Sequence, residues 1–200
     1  MGHVAFSKTV QRIQSERGSR EAYARMEAAG GSETEVTEEL TDFLAQVNTA
    51  FLATANAEGQ PYVQHRGGPK GFIGALDAHT IGFVDLRGNR QYISTGNLEE
   101  NDRVCLFLID YAHRRRVKVW GTARVVPATP ELIARLPAVA PKARPEQVVL
   151  IHVTAWDVNC QQHIPVKIDA EDVAATLHTL EARIAELEAE NAALRTRTAG

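Results

Sequence analysis

Short β-rich runs separated by turn residues fill the middle of this chain, and their close spacing leaves little choice of fold. Phe51-Leu52-Ala53-Thr54-Ala55 is one run and Gln60 to Arg66 the next, with Asn56-Ala57-Glu58-Gly59 as a four-residue hairpin loop between them. Further runs follow at Phe72 to Leu76, Thr80 to Asp85, Arg103 to Ile109, Val117 to Val125 and Val148 to Trp156. A short helix is expected near Leu98 to Asn101. Strands this closely spaced predict an antiparallel barrel and not a series of βαβ units.

The flanks have a helical period. Residues 7 to 29 predict an amphipathic helix interrupted near Arg17-Gly18-Ser19, with Ser19 capping a second half where Tyr23 and Met26 share a face. Gly30-Gly31-Ser32 breaks it. Ser32 and Glu35 stand at capping-box spacing, and Thr37 competes as the cap of a helix running to about Val47. Val36, Leu40, Phe43, Leu44 and Val47 form the stripe of that helix and are expected in the core. The proline-rich segment Pro127 to Pro145 predicts a short helix, Pro130 to Leu136, and then a loop.

From Glu171 to Arg197 there is neither Gly nor Pro, and apolar residues recur at Val173, Leu177, Leu180, Ile184, Leu187 and Leu194. Steps of four and three residues are a heptad repeat. Leu177 and Ile184 take position a, as does Asn191, while Val173, Leu180, Leu187 and Leu194 take d. An Asn at a costs stability but specifies two parallel strands in register. Arg183 at g would face Glu188 at e of a partner, and Glu190 would face Arg195. A single amphipathic helix packed on its own barrel is the competing reading. The chain therefore divides into a helical arm (1–31), a barrel domain (32–168) and a coiled-coil helix (169–200).

Composition narrows the function classes. A hydrophobic content of 44% with 24% charged residues fits a globular protein, and a net charge of −3 gives no global attraction to nucleic acid. The run Arg114-Arg115-Arg116 is too short to change that. Two cysteines, Cys105 and Cys160, form no disulfide framework and no metal-ligand spacing, which fits a reducing cytosol. Cys105 lies in an apolar run and is expected to be a buried small hydrophobe. No apolar stretch approaches the roughly 20 residues that cross a bilayer, and the N-terminus lacks a signal-peptide pattern. The expectation is a cytoplasmic protein with no membrane, nucleic-acid or metal partner.

The chemistry concentrates in two polar turns, each following a strand. Gly88-Asn89-Arg90-Gln91-Tyr92-Ile93-Ser94-Thr95-Gly96 offers a cation, amides, hydroxyls and glycines, and Gln64-His65-Arg66-Gly67 lies upstream. Arg pairs bidentately with phosphate, and hydroxyls and amides complete its shell. Together the turns point to one anionic cofactor held between them. Singly, each also reads as an ordinary Gly-rich turn with a solvated arginine.

From Thr49 to about Val126 the chain resembles the pyridoxamine 5′-phosphate oxidase family. The likeness rests on the hairpin Phe51-Leu52-Ala53-Thr54 … Gly59-Gln60-Pro61-Tyr62, the turn Gly88-Asn89-Arg90, Asn101-Asp102-Arg103-Val104, and Val117-Lys118-Val119-Trp120-Gly121-Thr122-Ala123. The resemblance implies a mainly β (α+β) fold: a six-stranded antiparallel split β-barrel, here with N-terminal helices and a C-terminal coiled-coil helix. It implies FMN held at the interface of a homodimer and oxidoreductase activity on a small molecule. By position, the strand Val63 to Arg66 would line the flavin ring and ribityl chain, with Gln64, His65, Arg66 and Gly67 as cofactor-binding residues. Arg66 and Arg90 would meet the phosphate, with Asn89, Gln91, Ser94 or Thr95, although family members often have Lys where Gln91 stands. Val117 and Val119 should face the core, leaving Arg116, Lys118 and Trp120 toward the partner and its flavin. The Arg/His-rich segment that grips substrate phosphate in true pyridoxamine-phosphate oxidases is replaced by Trp156-Asp157-Val158-Asn159-Cys160-Gln161-Gln162-His163. There Trp156 is either a wall of the pocket or core, and His163 either a proton donor or structural. No catalytic side chain is assigned. Deazaflavin F420 is an alternative cofactor, as is haem with His65, His113 or His163 as axial ligand. A non-catalytic flavin-binding or scaffolding role is a further alternative.

Overall fold

A computed structural model describes residues 3–140, 142–159 and 161–198. The chain divides into two compact units, residues 1–110 with 115–161, and residues 111–114 with 162–200. The first unit begins with α1 (Lys8–Glu16), capped by the Ser7 hydroxyl, which accepts from the Val10 amide. After the break at Gly18 comes α2 (Arg20–Ala28). Ser19 does not cap it: its backbone is already helical, and its side chain makes no capping bond. The cap of α3 (Glu38–Gln46) is Thr37, whose extended backbone lets its hydroxyl accept from Leu40. Ser32, the competing cap, instead has a buried Oγ without a partner. Leu40, Phe43, Leu44 and Val47 are all 3% exposed or less, as the helical spacing required.

Seven strands follow: β1 (Thr49–Ala55), β2 (Pro61–Gly67), β3 (Gly74–Asp77), β4 (Thr80–Leu86), β5 (Arg103–Asp110), β6 (Arg115–Pro127) and β7 (Pro145–Asn159). They form one antiparallel sheet in the order β2-β1-β5-β6-β7-β4-β3. The fold is α+β and consistent with a split barrel, but the expected count of six strands is corrected to seven. The sheet is not closed, because β2 pairs only with β1 and the short, bulged β3 only with β4. The first hairpin loop is also longer than expected: Ala55 pairs with Pro61, so Gln60 belongs to the loop. Two further helices are α4 (Ile93–Glu100) and α5 (Pro130–Ile133).

The core lies between α3 and the inner face of the sheet, where Leu52, Ile81, Phe83, Leu106, Leu108, Val117, Val119 and Ile151 are nearly inaccessible. Each such side chain contributes about 1.5–3 kcal/mol relative to exposure. Strand alternation then assigns the other face. Val117 and Val119 point inward as expected, while Arg116, Lys118 and Trp120 are half-exposed on the outer face. Cys105 corrects an expectation: it is half-buried on that outer face beside Phe107, since its neighbours Val104 and Leu106 take the core positions. At the bulge between Trp120 and Gly121, a Cβ on Gly121 would stand 2.0 Å from the His152 carbonyl oxygen, so only glycine fits.

Trp156 is core, 3% exposed, with its indole Nε1 donating to the Glu35 carbonyl at 2.7 Å and its amide to Glu33 at 2.8 Å. It pins the segment before α3 onto β7. The second unit contains α6 (Ala170–Thr198), whose heptad residues are exposed. No described helix is long and apolar enough to cross a membrane. Cys160 lies outside the described residues, and His163 is exposed with a left-handed backbone, φ 63°.

Candidate functional site

Antiparallel pairing of β4 with β7 sets Asp85 opposite Gln147, and a bulge follows at Leu86. There the chain leaves the sheet and enters α4 through residues 87–92. Two residues of this loop are left-handed, Arg90 at φ 62° and Tyr92 at φ 53°. Such backbone costs on the order of 1–3 kcal/mol per non-glycine residue and persists only where surrounding contacts hold it. Here the contacts are visible. Arg90 Nε donates to the Tyr92 hydroxyl at 3.1 Å, and that hydroxyl donates to Glu146 Oε1 at 2.7 Å. The same Tyr92 contact holds the Arg90 guanidinium more firmly protonated than usual.

The α4 segment begins earlier than its sequence suggested, at Ile93, so Ser94 and Thr95 sit in its first turn and not in an extended loop. Tyr92 occupies the N-cap position without a side-chain capping bond. The helix thus presents backbone N–H groups at its start, where the dipole favours an anion. Ser94, 3% exposed, donates from Oγ to Gln64 Oε1 at 2.7 Å. Gln147 Nε2 donates to Asp85 Oδ2 at 2.9 Å and to Thr95 Oγ1 at 3.0 Å. These bonds tie β2, β4, α4 and β7 into one polar floor.

A cleft of about 50 Å³ opens over that floor, space for a few waters or one small oxyanion. Gln64 and Arg66 line it from β2, and Asn89, Arg90, Gln91, Ser94 and Thr95 from the loop and helix. The two separate polar turns of the sequence therefore converge. Arg66 forms an ion pair with Asp85, both side chains only 12% exposed, and its guanidinium lies over the Phe83 ring at 5.7 Å. Arg66 Nε is buried without a hydrogen-bond partner.

The other candidates lie elsewhere. His65 and Gly67 alternate onto the opposite side of β2 from Gln64 and Arg66, and His65 meets Phe51 edge-on at 5.6 Å. Arg116, Lys118 and Trp120 occupy the outer face of β6, with Arg116 Nε buried and unpartnered. The His3 ring packs edge-on against Trp120 at 5.4 Å. Trp156 belongs to the core and does not line the cleft. Sequence reasoning missed Asp85, Tyr92, Glu146 and Gln147. Tyr92 stood inside the polar segment, but the acids and Gln147 are brought in by the β4–β7 pairing. They matter because Asp85 offsets Arg66 and Glu146 lies beside the Arg90–Tyr92 pair, so the cleft is not purely cationic.

Residues 36–160 match the profile of the family described as pyridoxamine 5′-phosphate oxidase. Among solved structures, the chain is similar to an FMN-binding protein from Syntrophomonas wolfei subsp. wolfei, at 12% identity, covering 74% of this chain and 97% of that one, TM-score 0.48. It is similar to HupZ of Group A Streptococcus at 20% identity, covering 66% and 98%, TM-score 0.46. An F420 reductase is 22% identical over 61% of this chain and 98% of that one, TM-score 0.43. No curated protein gives a significant match.

Proposed function

The chain belongs to the pyridoxamine 5′-phosphate oxidase family, and from that premise we propose that it is an FMN-dependent oxidoreductase acting on a small molecule. The observation that carries this reading is the convergence of Gln64 and Arg66 with residues 89–92, 94 and 95 on one cleft at the uncapped start of α4. A phosphate needs paired cations and several donors to offset its desolvation. Two guanidiniums, the Thr95 hydroxyl and first-turn amides of α4 supply them, while the Ser94 hydroxyl is engaged with Gln64. The Nε of Arg66 is buried without a partner, so this guanidinium keeps a donor that Asp85 does not satisfy. The residues fit the phosphate end of FMN, with Arg66 shared between it and Asp85.

FMN, when bound, supplies hydride and single-electron transfer, and the protein supplies orientation and electrostatics. The reading includes a homodimer formed through the outer face of the sheet, where Phe51, Phe107 and Trp120 are half-buried. Arg116 or Lys118 on that face would place positive charge near the flavin N1–C2=O edge and stabilise the anionic reduced ring. The test is the absorption spectrum of the purified protein, followed by titration of FMN with its fluorescence as readout. Flavin bands, or saturable quenching by added FMN, support the proposal. A Soret band, a released deazaflavin F420, or no binding of FMN overturns it.

A further inference from the structure

We infer that α6 is a self-recognition element that pairs in parallel and in register with the α6 of a second copy of this chain. Val173, Leu177, Leu180, Ile184, Leu187 and Leu194 fall on one heptad seam, and each is 42–55% exposed. From Val173 to Leu194 that seam is about 30 Å long at 1.5 Å per residue. Helical stability in proteins comes mostly from packing an apolar face, so a helix with this seam open to water calls for a partner.

The identity of the partner follows from the polar residues on the seam. Asn191 occupies an a position, where its amide is satisfied across a parallel dimer by the same residue of the other strand. A foreign helix would have to supply its own Asn at that level, and an antiparallel copy would set Asn191 against an apolar d residue. The charges agree. Arg183 at g meets Glu188 at e of the other strand, and Glu190 at g meets Arg195, each pair occurring twice by symmetry. Arg183 also forms an exposed i,i+3 ion pair with Glu186 of its own helix. Such exposed pairs are worth little and do not oppose the exchange.

Cysteine crosslinking of the full chain tests this, with the wild-type protein as background for Cys105 and Cys160. Val173→Cys and Leu194→Cys should each give a disulfide-linked dimer when oxidised alone. Ala189→Cys, at position f on the far side of the helix, should give none. Asn191→Leu should raise the melting midpoint of the tail and add species heavier than the wild-type assembly. Crosslinks only when Leu177→Cys (position a) and Leu187→Cys (position d) are mixed would mean antiparallel pairing and overturn the proposal. No crosslink, or equal crosslinking at position 189, would also overturn it. Adding Arg90→Ala to each cysteine variant should leave the crosslinks unchanged, so failure of the flavin reading is told apart from failure of this one.

Discussion

Arg66 and Asp85 form an ion pair on the floor of the polar cleft, and both side chains are 12% exposed. The pair joins β2 to β4, strands that stand five places apart in the order of the sheet. Breaking a buried pair leaves a charge without compensation, which typically costs 3–5 kcal/mol. Asp85→Asn should therefore destabilise the FMN-free protein by about 3 kcal/mol in chemical denaturation. It should also bind FMN about tenfold more tightly, since one negative charge near the phosphate is gone. At one saturating FMN concentration both proteins are stabilised, and the tenfold tighter variant gains about 1.4 kcal/mol more, which closes about half of the stability gap. A variant of unchanged stability and unchanged affinity would place the phosphate away from Asp85.

Arg90→Ala should weaken FMN binding by about ten- to a hundredfold while leaving riboflavin affinity unchanged, because only the phosphate loses a partner. Arg90→Lys should rescue in part, keeping the charge and losing the planar fork. Parallel titrations of FMN and riboflavin read both effects. Equal losses for the two ligands would show that the loop conformation, and not the phosphate contact, had been disturbed.

Turnover of pyridoxamine 5′-phosphate should be slow, below about 1 per second. By the family resemblance, Trp156 to His163 stand where true oxidases carry a basic segment that grips the substrate phosphate, and they hold one histidine and no arginine or lysine. Oxygen consumption with that substrate measures it, and a rate typical of an enzyme would make this compound the substrate.

Trp156→Phe should cost about 1–3 kcal/mol, since it removes the indole donor from the Glu35 carbonyl. FMN affinity should not change, because Trp156 lies in the core and not along the cleft. Denaturation and FMN titration of the same variant separate the two roles. Lost affinity with unchanged stability would return Trp156 to the pocket wall.

The N-terminal arm should respond to acid. Glu27 is held below the usual carboxylate value, chiefly by the Arg20 guanidinium and then by the His3 amide. A lowered value means that its contribution is complete above the ordinary carboxyl pKa and is lost as pH falls through the lowered one. Because His3 packs on Trp120, tryptophan fluorescence should shift in that acid range. Glu27→Gln should remove that step, and its persistence would assign the transition to another carboxyl.

Local chemistry made much of this protein legible. Leu40, Phe43, Leu44 and Val47 declare a buried helical stripe because periodicity and burial are consequences of one local geometry. The strand runs and the α6 heptads are legible for the same reason. Arg66 and Arg90 could be named as a pair because each follows its own strand in a turn that local composition marks. What they would meet there was not legible. Asp85 faces Gln147 across a strand pairing that joins residues 62 positions apart, and Glu146 reaches Tyr92 across 54. Cys105 went to the outer face because Val104 and Leu106 fit the core positions, and a run of apolar residues does not say which alternate faces in. Trp156 became core because the backbone at Glu33 and Glu35 arrived to pair with it. Sequence alone determined the elements and the residue types at their ends, since those depend on near neighbours. Tertiary structure decided the faces, the order of the strands in an open sheet and the acids beside the two arginines, because each depends on which distant strands pair and in which register.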